Sequence, residues 1–207
     1  MDDIVKAAIA KWPNVPACYG WLALDARGNW RMRDARCQAL NLQGDIIRHP
    51  SLLNFINRNY QHDDKGQWYF QNGPQKVYVD LAATPYIART SATGFTLHTG
   101  DTLPLPDAAF FNSEGNLILR SNTILAQLDD RDLAEVSGYL YENKRLLNDD
   151  EFMEWLEQTN QSNSNPQLMW HYQGKSDYAI PVAKNELADL MLTLGFKSYP
   201  AADHPSA

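Results

Sequence analysis

The sequence predicts an α+β protein of two lobes, in which antiparallel β-hairpins alternate with short helices. The main observation is a turn signature that occurs three times. Its copies are Asp25-Ala26-Arg27-Gly28-Asn29-Trp30, Asp63-Asp64-Lys65-Gly66-Gln67-Trp68 and the looser Asn112-Ser113-Glu114-Gly115-Asn116-Leu117. In each copy an Asp or Asn can bond the backbone two residues on, a Gly can take a positive φ, and a large apolar residue begins the next strand. The second observation is that isolated helical patterns separate the hairpins.

The first lobe, residues 1–83, is predicted to contain two helices and two hairpins. The helices cover residues 3–12, where Asp2 or Asp3 is the expected cap, and Pro50–Gln61, where the proline stands at the start. The strands of the hairpins are Trp21–Leu24 with Trp30–Arg33, and Trp68–Phe70 with Lys76–Leu81. The second hairpin is expected to turn at Asn72-Gly73.

The second lobe, residues 84–200, is predicted to be rich in strands and to end in helices. The expected strands are Tyr86–Thr90, Phe95–His98, Ala109–Phe111 and Leu117–Arg120. The expected helices are 131–142, 150–159 with Asp150 as its cap, and Asn185–Leu194, with Leu187, Leu190, Met191 and Leu194 facing inward. A last hairpin, Met169–Tyr172 with Tyr178–Val182, turns at Gly174 after the polar loop Asn160–Pro166. Residues 201–207 are expected to form a flexible tail.

Charge is distributed unevenly along the chain. The net charge is −7, but residues 1–100 carry eleven Lys and Arg against eight Asp and Glu, whereas residues 101–207 carry seven against seventeen. Residues 129–157 alone hold ten acids and three bases. This acidity argues against non-specific nucleic-acid binding. The segment 129–157 is either a solvated surface or a contact for a basic partner.

The expected location of the protein is the cytoplasm. No apolar stretch approaches the roughly 20 residues of a membrane helix. The acidic start Met1-Asp2-Asp3-Ile4 lacks the basic and apolar regions of a signal peptide. Cys18 and Cys37 do not form the pattern of a disulfide framework, and two reduced thiols suit this compartment.

Residues 20–89 carry five short motifs in a defined order. They are Gly28-Asn29-Trp30, Gly44-Asp45-Ile46-Ile47-Arg48, Gly66-Gln67-Trp68, Pro74-Gln75-Lys76-Val77 and Thr84-Pro85-Tyr86. In this order they resemble a bacterial family catalogued as a domain of unknown function, and the segment from Lys11 to Trp21 resembles a related group of uncharacterised proteobacterial proteins. The resemblance covers about a third of the chain. It implies a two-lobed, hairpin-rich α+β protein of bacterial origin and implies no reaction.

The sequence lacks the patterns of known catalytic and metal sites, so it assigns no catalytic residue, metal or cofactor. None of the five histidines pairs at i,i+4, and no cysteine pair has zinc spacing. Neither a Gly-x-Ser-x-Gly elbow nor a Gly-rich phosphate loop occurs. Two residues leave alternatives open: Cys18 is a reactive thiol or an idle cysteine, and Asp80 belongs to an ion pair or acts as a general base.

One group of residues in the first lobe predicts a binding surface. It combines basic and aromatic side chains, namely Arg31, Arg33, Arg48, Lys76, Trp30 and Trp68. Together such side chains can bind an anion, a nucleotide or a partner protein. Strand alternation puts Arg31 and Arg33 on one face and Trp30 on the other, so the alternative is that tryptophans form the core and arginines are solvated. Reversing both arginine charges is expected to abolish binding with little loss of stability.

The preferred function is a non-catalytic binding or regulatory module that takes a small anionic ligand or a protein partner. Two alternatives stay open. One is an enzyme whose site is assembled in the cleft between the lobes. The other is an interaction subunit that uses segment 129–157. Neither a membrane nor a nucleic acid is an expected partner, and the sequence does not predict the oligomeric state.

Overall fold

A computed structural model describes residues 1–158, 168–171 and 178–202, and it has the α+β architecture that the sequence predicts. The chain falls into two compact units, Met1–Pro85 with Leu194–Ala207, and Tyr86–Thr193. Each unit is built around one β-sheet. The sequence-based division into the lobes 1–83 and 84–200 and a flexible tail, 201–207, remains a prediction.

The first unit has three helices among its described residues, α1 (Asp3–Lys11), α2 (Ala35–Ala39) and α3 (Pro50–Arg58). Its strands are β1 (Cys18–Leu24), β2 (Trp30–Met32), β3 (Asp45–Ile46), β4 (Tyr60–His62), β5 (Trp68–Asn72) and β6 (Gln75–Leu81). They form one sheet in the order β3-β2-β1-β6-β5-β4. All neighbours are antiparallel except β1 and β6, which are parallel.

The three copies of the turn signature have the same structure. In each, Oδ1 of the first residue accepts hydrogen bonds from the backbone N–H groups of the third and fifth residues at 2.8–3.1 Å. The first residues are Asp25, Asp63 and Asn112. The glycines have positive φ, 79° at Gly28, 71° at Gly66 and 78° at Gly115. The predicted turns are therefore confirmed.

Four details of the first unit differ from the prediction. Helix α2 and strand β3 were not predicted. Helix α3 ends at Arg58, and Tyr60–His62 form strand β4 opposite β5, because the second turn signature needs a strand on each side. The hairpin between β5 and β6 turns at Gly73-Pro74, since Asn72 and Gln75 are already paired. Asp2 stands at the start of α1, but its carboxylate bonds Arg58 and makes no side-chain cap.

The helices among the described residues of the second unit are α4 (Leu133–Ser137) and α5 (Asp149–Glu157), which follow a 3₁₀ turn at Asp130–Asp132, and α6 (Leu187–Leu194) at its end. Its strands are β7 (Tyr86–Ser91), β8 (Gly94–Leu97), β9 (Thr102–Leu103), β10 (Ala108–Phe111), β11 (Leu117–Ser121), β12 (Ile124–Leu128), β13 (Leu140–Glu142), β14 (Arg145–Leu146), β15 (Leu168–His171) and β16 (Ala179–Lys184). The sheet order is β14-β13-β15-β16-β10-β11-β12-β7-β8-β9, and two pairs, β10 with β16 and β12 with β7, are parallel. The core includes Phe95, Phe111, Leu140, Trp155 and Trp170.

The prediction for the second unit is wrong at four places. The helix expected over 131–142 stops at Ser137, and Leu140–Glu142 pair with β15 instead, which buries Leu140 in the core. Strands β9, β12 and β14 were not predicted. Helix α5 is capped by Asn148 in a capping box with Glu151, and not by Asp150. On α6, Leu190 is buried but Leu194 is exposed. The predicted loop 160–166, the turn at Gly174 and residues 203–207 lie outside the described residues.

Candidate ligand-binding cavity

A cavity of about 300 Å³ lies in the first unit, on one face of its six-stranded sheet. Its lining comes from the ends of β1, β2 and β6, the first signature turn, the segment after α2, and Tyr199. The charged residues of the lining are Asp25, Arg31, Arg33 and Asp80. The volume is at the lower end of the range of about 300–1,000 Å³ that is typical of small-molecule sites.

Strand register explains why a cavity forms here. Arg31, Ala23 and Asp80 lie side by side on β2, β1 and β6. Because neighbouring strands are about 4.8 Å apart, the backbones of Arg31 and Asp80 are separated by roughly 10 Å. Only the methyl group of Ala23 projects between them, so the charged side chains of Arg31 and Asp80 lie on either side of an open floor.

The opposite face of the same strands is the core of the unit. Trp30, Leu24 and Leu81 lie side by side there and are only 1–2% exposed. The indole N–H of Trp30 donates to Oδ1 of Asn57 at 2.8 Å, and its ring packs edge-on against Tyr60 at 5.1 Å. Alternation therefore separates an apolar core from a charged cavity along one strand.

Arg31 is held in place by the first signature turn. Its Nε donates to Oδ2 of Asp25 at 2.7 Å, and its Nη1 donates to the carbonyl of Gly44 at 3.0 Å. Although burial opposes it, hydrogen bonds from the Asn29 backbone and Arg31 hold the pKa of Asp25 below its ordinary value. Asp25 thus closes the turn with one oxygen and orients Arg31 with the other.

Arg33 is held by three acceptors. Its Nε donates to the carbonyl of Leu42 at 3.1 Å, its Nη2 donates to Oδ1 of Asn41 at 3.2 Å, and its Nη1 is paired with Oδ2 of Asp80. Burial raises the pKa of Asp80 above its ordinary value, and Arg33 acts in the opposite direction. Asp80 therefore belongs to an ion pair, but its partner is Arg33 and the pair is largely buried, whereas the sequence places the pair on a solvated face near Lys76.

The segment after α2 provides three of the acceptors that hold Arg31 and Arg33. They come from Asn41, Leu42 and Gly44, and the sequence did not predict that this segment takes part in a site. It can approach β2 because Gly44 has no side chain. A Cβ at Gly44 would overlap the carbonyl oxygen of Met32 and lie 2.9 Å from Cγ of Arg33. Gly44 also has φ +81°, and Asn41 has φ 49°. An Asn and a Gly three residues apart, in a segment without helix or strand pattern, were the available signal.

The structure distributes the six predicted site residues over four places. Arg31 and Arg33 line the cavity. Lys76 is on the same face of the sheet by alternation, but its ammonium group lies over the ring of Tyr69 at 4.7 Å and does not line the cavity. Arg48 is exposed beyond β3. Trp30 and Trp68 are 2% and 9% exposed and belong to the core.

One expectation about the arginines changes. The sequence treats them as exposed, so that charge reversal would cost little stability. The side chains of Arg31 and Arg33 are 17% and 11% exposed, and each is paired with a carboxylate. Removing one partner of a sheltered pair leaves the other charge uncompensated, so charge reversal is expected to destabilise the protein as well.

The acidic segment 129–157 contains two acids that stabilise the second unit. Asp132 accepts bonds from Arg89 at 2.7 and 2.9 Å and from the backbone of Thr90 at 2.8 Å. The side chain of Asp129 is fully buried and paired with Arg131. Although burial opposes it, hydrogen bonds from Arg131 lower the pKa of Asp129 to about 2. These two carboxylates are therefore engaged within the protein.

Neither the cysteines nor a metal cluster provides a second site among the residues that the structure describes. Cys18 and Cys37 are free thiols, and burial raises the pKa of Cys18, which disfavours the thiolate that a reactive cysteine needs. In residues 1–158, 168–171 and 178–202, no three His, Cys, Asp or Glu side chains come together as a metal site would require. Among the same residues, no helix has the length and apolar character needed to cross a membrane.

Comparison with known proteins gives a family but no activity. The family model DUF2944, described as a protein of unknown function (DUF2946), matches residues 1–201. The chain is similar to a crystal structure of a DUF1285 family protein from Silicibacter pomeroyi DSS-3, at 14% identity and TM-score 0.48 over 87% of this chain and 94% of that one. A DUF1285 family protein from Shewanella baltica OS155 matches at 10% identity and TM-score 0.35, over 56% and 88% of the two chains. No curated protein matches. The resemblance to a family of unknown function is confirmed, and the match extends well beyond residues 20–89.

Proposed function

We propose a function for this chain, which belongs to the DUF2944 family of proteins of unknown function. It is a non-catalytic binding protein, and it takes a small molecule through an anionic group, a carboxylate or a phosphate, in the cavity beside Arg31 and Arg33. The observation that carries the proposal is that two guanidinium groups, one from β2 and one from the residue directly after it, are held by fixed acceptors at the wall of a cavity of about 300 Å³.

The fixed positions of the two arginine side chains support this proposal. A long arginine side chain normally loses much of its freedom when it binds a ligand, and that loss weakens binding. Here Arg31 and Arg33 are already held by Asp25, Gly44, Leu42 and neighbouring residues. A sheltered charge-assisted hydrogen bond contributes about 1.5–3 kcal/mol, so even one such bond from a held arginine gives measurable affinity.

The test compares two arginines that the sequence places in one predicted surface and the structure separates. Small carboxylates, phosphates and amino acids are screened by thermal shift, and compounds that bind are titrated against wild type, Arg31→Gln and Arg48→Gln. Because one charge-assisted bond is lost, Arg31→Gln should weaken binding by about tenfold or more. Arg48→Gln should leave the affinity within about twofold, since an exposed charge outside the cavity contributes little.

Two results would reject the proposal. One is that no compound with an anionic group binds to the wild-type protein. The other is that Arg48→Gln weakens binding as much as Arg31→Gln does. Circular dichroism of the unliganded variants checks that Arg31→Gln is folded at the temperature of the titration.

We propose the cytoplasm as the place where this binding occurs. The two free thiols, Cys18 and Cys37, support it because disulfides are rare in reducing compartments. Fractionation of cells that express the protein tests the location, and recovery with the membrane or the periplasm would contradict it. The enzyme at a cleft between lobes and the interaction subunit built on segment 129–157 stay predictions.

A further inference from the structure

We infer that the ligand of this cavity is an amino carboxylate, a small molecule whose carboxylate lies beside Arg31 and whose ammonium group lies beside Asp80. This inference rests on the proposed function and specifies the class of ligand. Three observations carry it: the balance of charges in the lining, the bonding positions that remain on those charges, and the apolar surface between them.

The charges of the lining are balanced before a ligand enters. Arg31 and Arg33 contribute two positive charges, and Asp25 and Asp80 contribute two negative charges. A ligand with only a negative charge would leave this sheltered site net negative, unless a carboxylate took up a proton. Uncompensated charge away from water is costly. A ligand that carries one charge of each sign preserves the balance.

Two atoms of the charged lining residues have no bonding partner in the described protein, one on an acid and one on a base. Both oxygens of Asp25 are occupied by the turn and by Arg31. Each guanidinium nitrogen of Arg33 already donates to the protein. In the part of the chain that the structure describes, no protein group bonds Oδ1 of Asp80 or Nη2 of Arg31. The site therefore offers an acceptor for an ammonium group on Asp80 and donors for a carboxylate on Nη2 of Arg31, beside which each Nη of Arg33 keeps a second N–H.

The two residues that carry these atoms flank an apolar floor. Arg31 and Asp80 flank Ala23, at a backbone separation of roughly two strand spacings, about 10 Å. Leu42 and Tyr199 also line the cavity, and they are 44% and 73% exposed. A hydrocarbon stem over Ala23 would cover this exposed apolar surface. The geometry thus matches a molecule with opposite charges at separate positions on a short stem.

Four six-carbon compounds test the inference on the full-length wild-type protein by calorimetric titration. They are 6-aminohexanoate, norleucine, hexanoate and hexylamine. One or both amino carboxylates should bind at least about tenfold more tightly than hexanoate, because each supplies a second charge-assisted contact. Hexylamine should bind no better than hexanoate. The two amino carboxylates differ in the distance between their charged groups. The one that binds more tightly therefore indicates how far apart the two contacts lie in the cavity.

The outcomes separate this inference from the proposed function. If hexanoate binds as tightly as both amino carboxylates and loses affinity in Arg31→Gln, the cavity binds anions as proposed and the amino carboxylate inference is overturned. Binding of hexylamine alone overturns it too. If none of the four compounds binds and the wider set of anionic compounds also fails, the proposed function itself is rejected.

A pair of variants tests the role of Asp80. Asp80→Asn keeps the shape of the side chain and an acceptor for Arg33, but it removes the charge that would hold the ammonium group. It should reduce the preference for the amino carboxylate over hexanoate to less than about twofold. Asp45→Asn, at an exposed acid of β3 outside the cavity, should keep the preference. A full preference in Asp80→Asn refutes the inference. If Asp80→Asn does not fold, the series of compounds on wild type decides.

Discussion

Gly66 is expected to be far more sensitive to substitution than Gly115, its counterpart in the third copy of the repeated turn. A Cβ there would overlap the carbonyl oxygen of Gly195 and would lie 2.8 Å from its carbonyl carbon and 3.0 Å from Cα of Phe196. All three neighbours are backbone atoms, so no side-chain rotation relieves the overlap. Gly66→Ala must therefore displace the segment that follows α6.

The cost can be estimated from what this displacement breaks. The left-handed φ of 71° costs an alanine about 1–2 kcal/mol. The hydrogen bonds from Lys197 N–H to Gly66 and from Leu81 N–H to Ser198 contribute about 0.5–1.5 kcal/mol each. Phe196 is 6% exposed, and its burial contributes about 1.5–3 kcal/mol, part of which is lost. We expect a loss of about 3–6 kcal/mol, a large share of a typical stability of about 5–15 kcal/mol.

Two control variants, Gly115→Ala and Gly195→Ala, separate the cost of the close backbone contact from the cost of the left-handed φ. Gly115 occupies the same turn with φ 78°, and Gly195 lies in the same unit as Gly66 with φ 68°. No described atom lies within 4 Å of a Cβ at either glycine. Alanine should cost only about 1–2 kcal/mol at each. Free energies of unfolding come from urea titration. An equal cost at Gly66 and Gly195 would refute the close contact between the turn and the segment after α6.

Two further predictions concern the second unit. Burial lowers the pKa of His98 to about 3 from an ordinary value of 6.5, so the folded protein holds it neutral while the unfolded chain takes up a proton. The free energy of unfolding should therefore fall as pH falls from about 6.5 towards 3, by at most about 1.4 kcal/mol per pH unit. In His98→Gln, the free energy of unfolding from urea titration should depend less on pH between pH 6.5 and 4.5. An unchanged slope in the variant contradicts this. Asn148→Ala removes the capping box of α5 and should lower the free energy of unfolding by about 1 kcal/mol. Asp150→Asn changes the cap that the sequence predicts, and it should cost less than about 0.5 kcal/mol in the same titration. Equal costs would contradict the observed cap.

Local patterns of the sequence predicted the parts of this protein whose bonds close within a few residues. Each signature turn is made by one side-chain oxygen and N–H groups two and four residues further on, so the sequence Asp-x-x-Gly is sufficient to specify it. Alternation along β2 is equally local, and it predicted that Arg31 and Arg33 share a face while Trp30 lies on the other. Where a helical pattern and a strand pattern overlapped, as at Tyr60 and at Leu140, local reasoning chose the helix and was wrong.

The sequence by itself therefore determined the three signature turns, the α+β class and the two arginines of the candidate site. Only the tertiary structure decided what surrounds those arginines: Asp80 reaches Arg33 because β6 pairs in parallel with β1, and the segment before β3 reaches both because Gly44 admits it. It also decided that Lys76, Arg48 and both tryptophans lie elsewhere. The physical reason is that the energy of a turn or of side-chain alternation depends on neighbours in sequence. Strand partners and close backbone contacts depend on burial summed over residues far apart in the chain, and short patterns do not encode that sum.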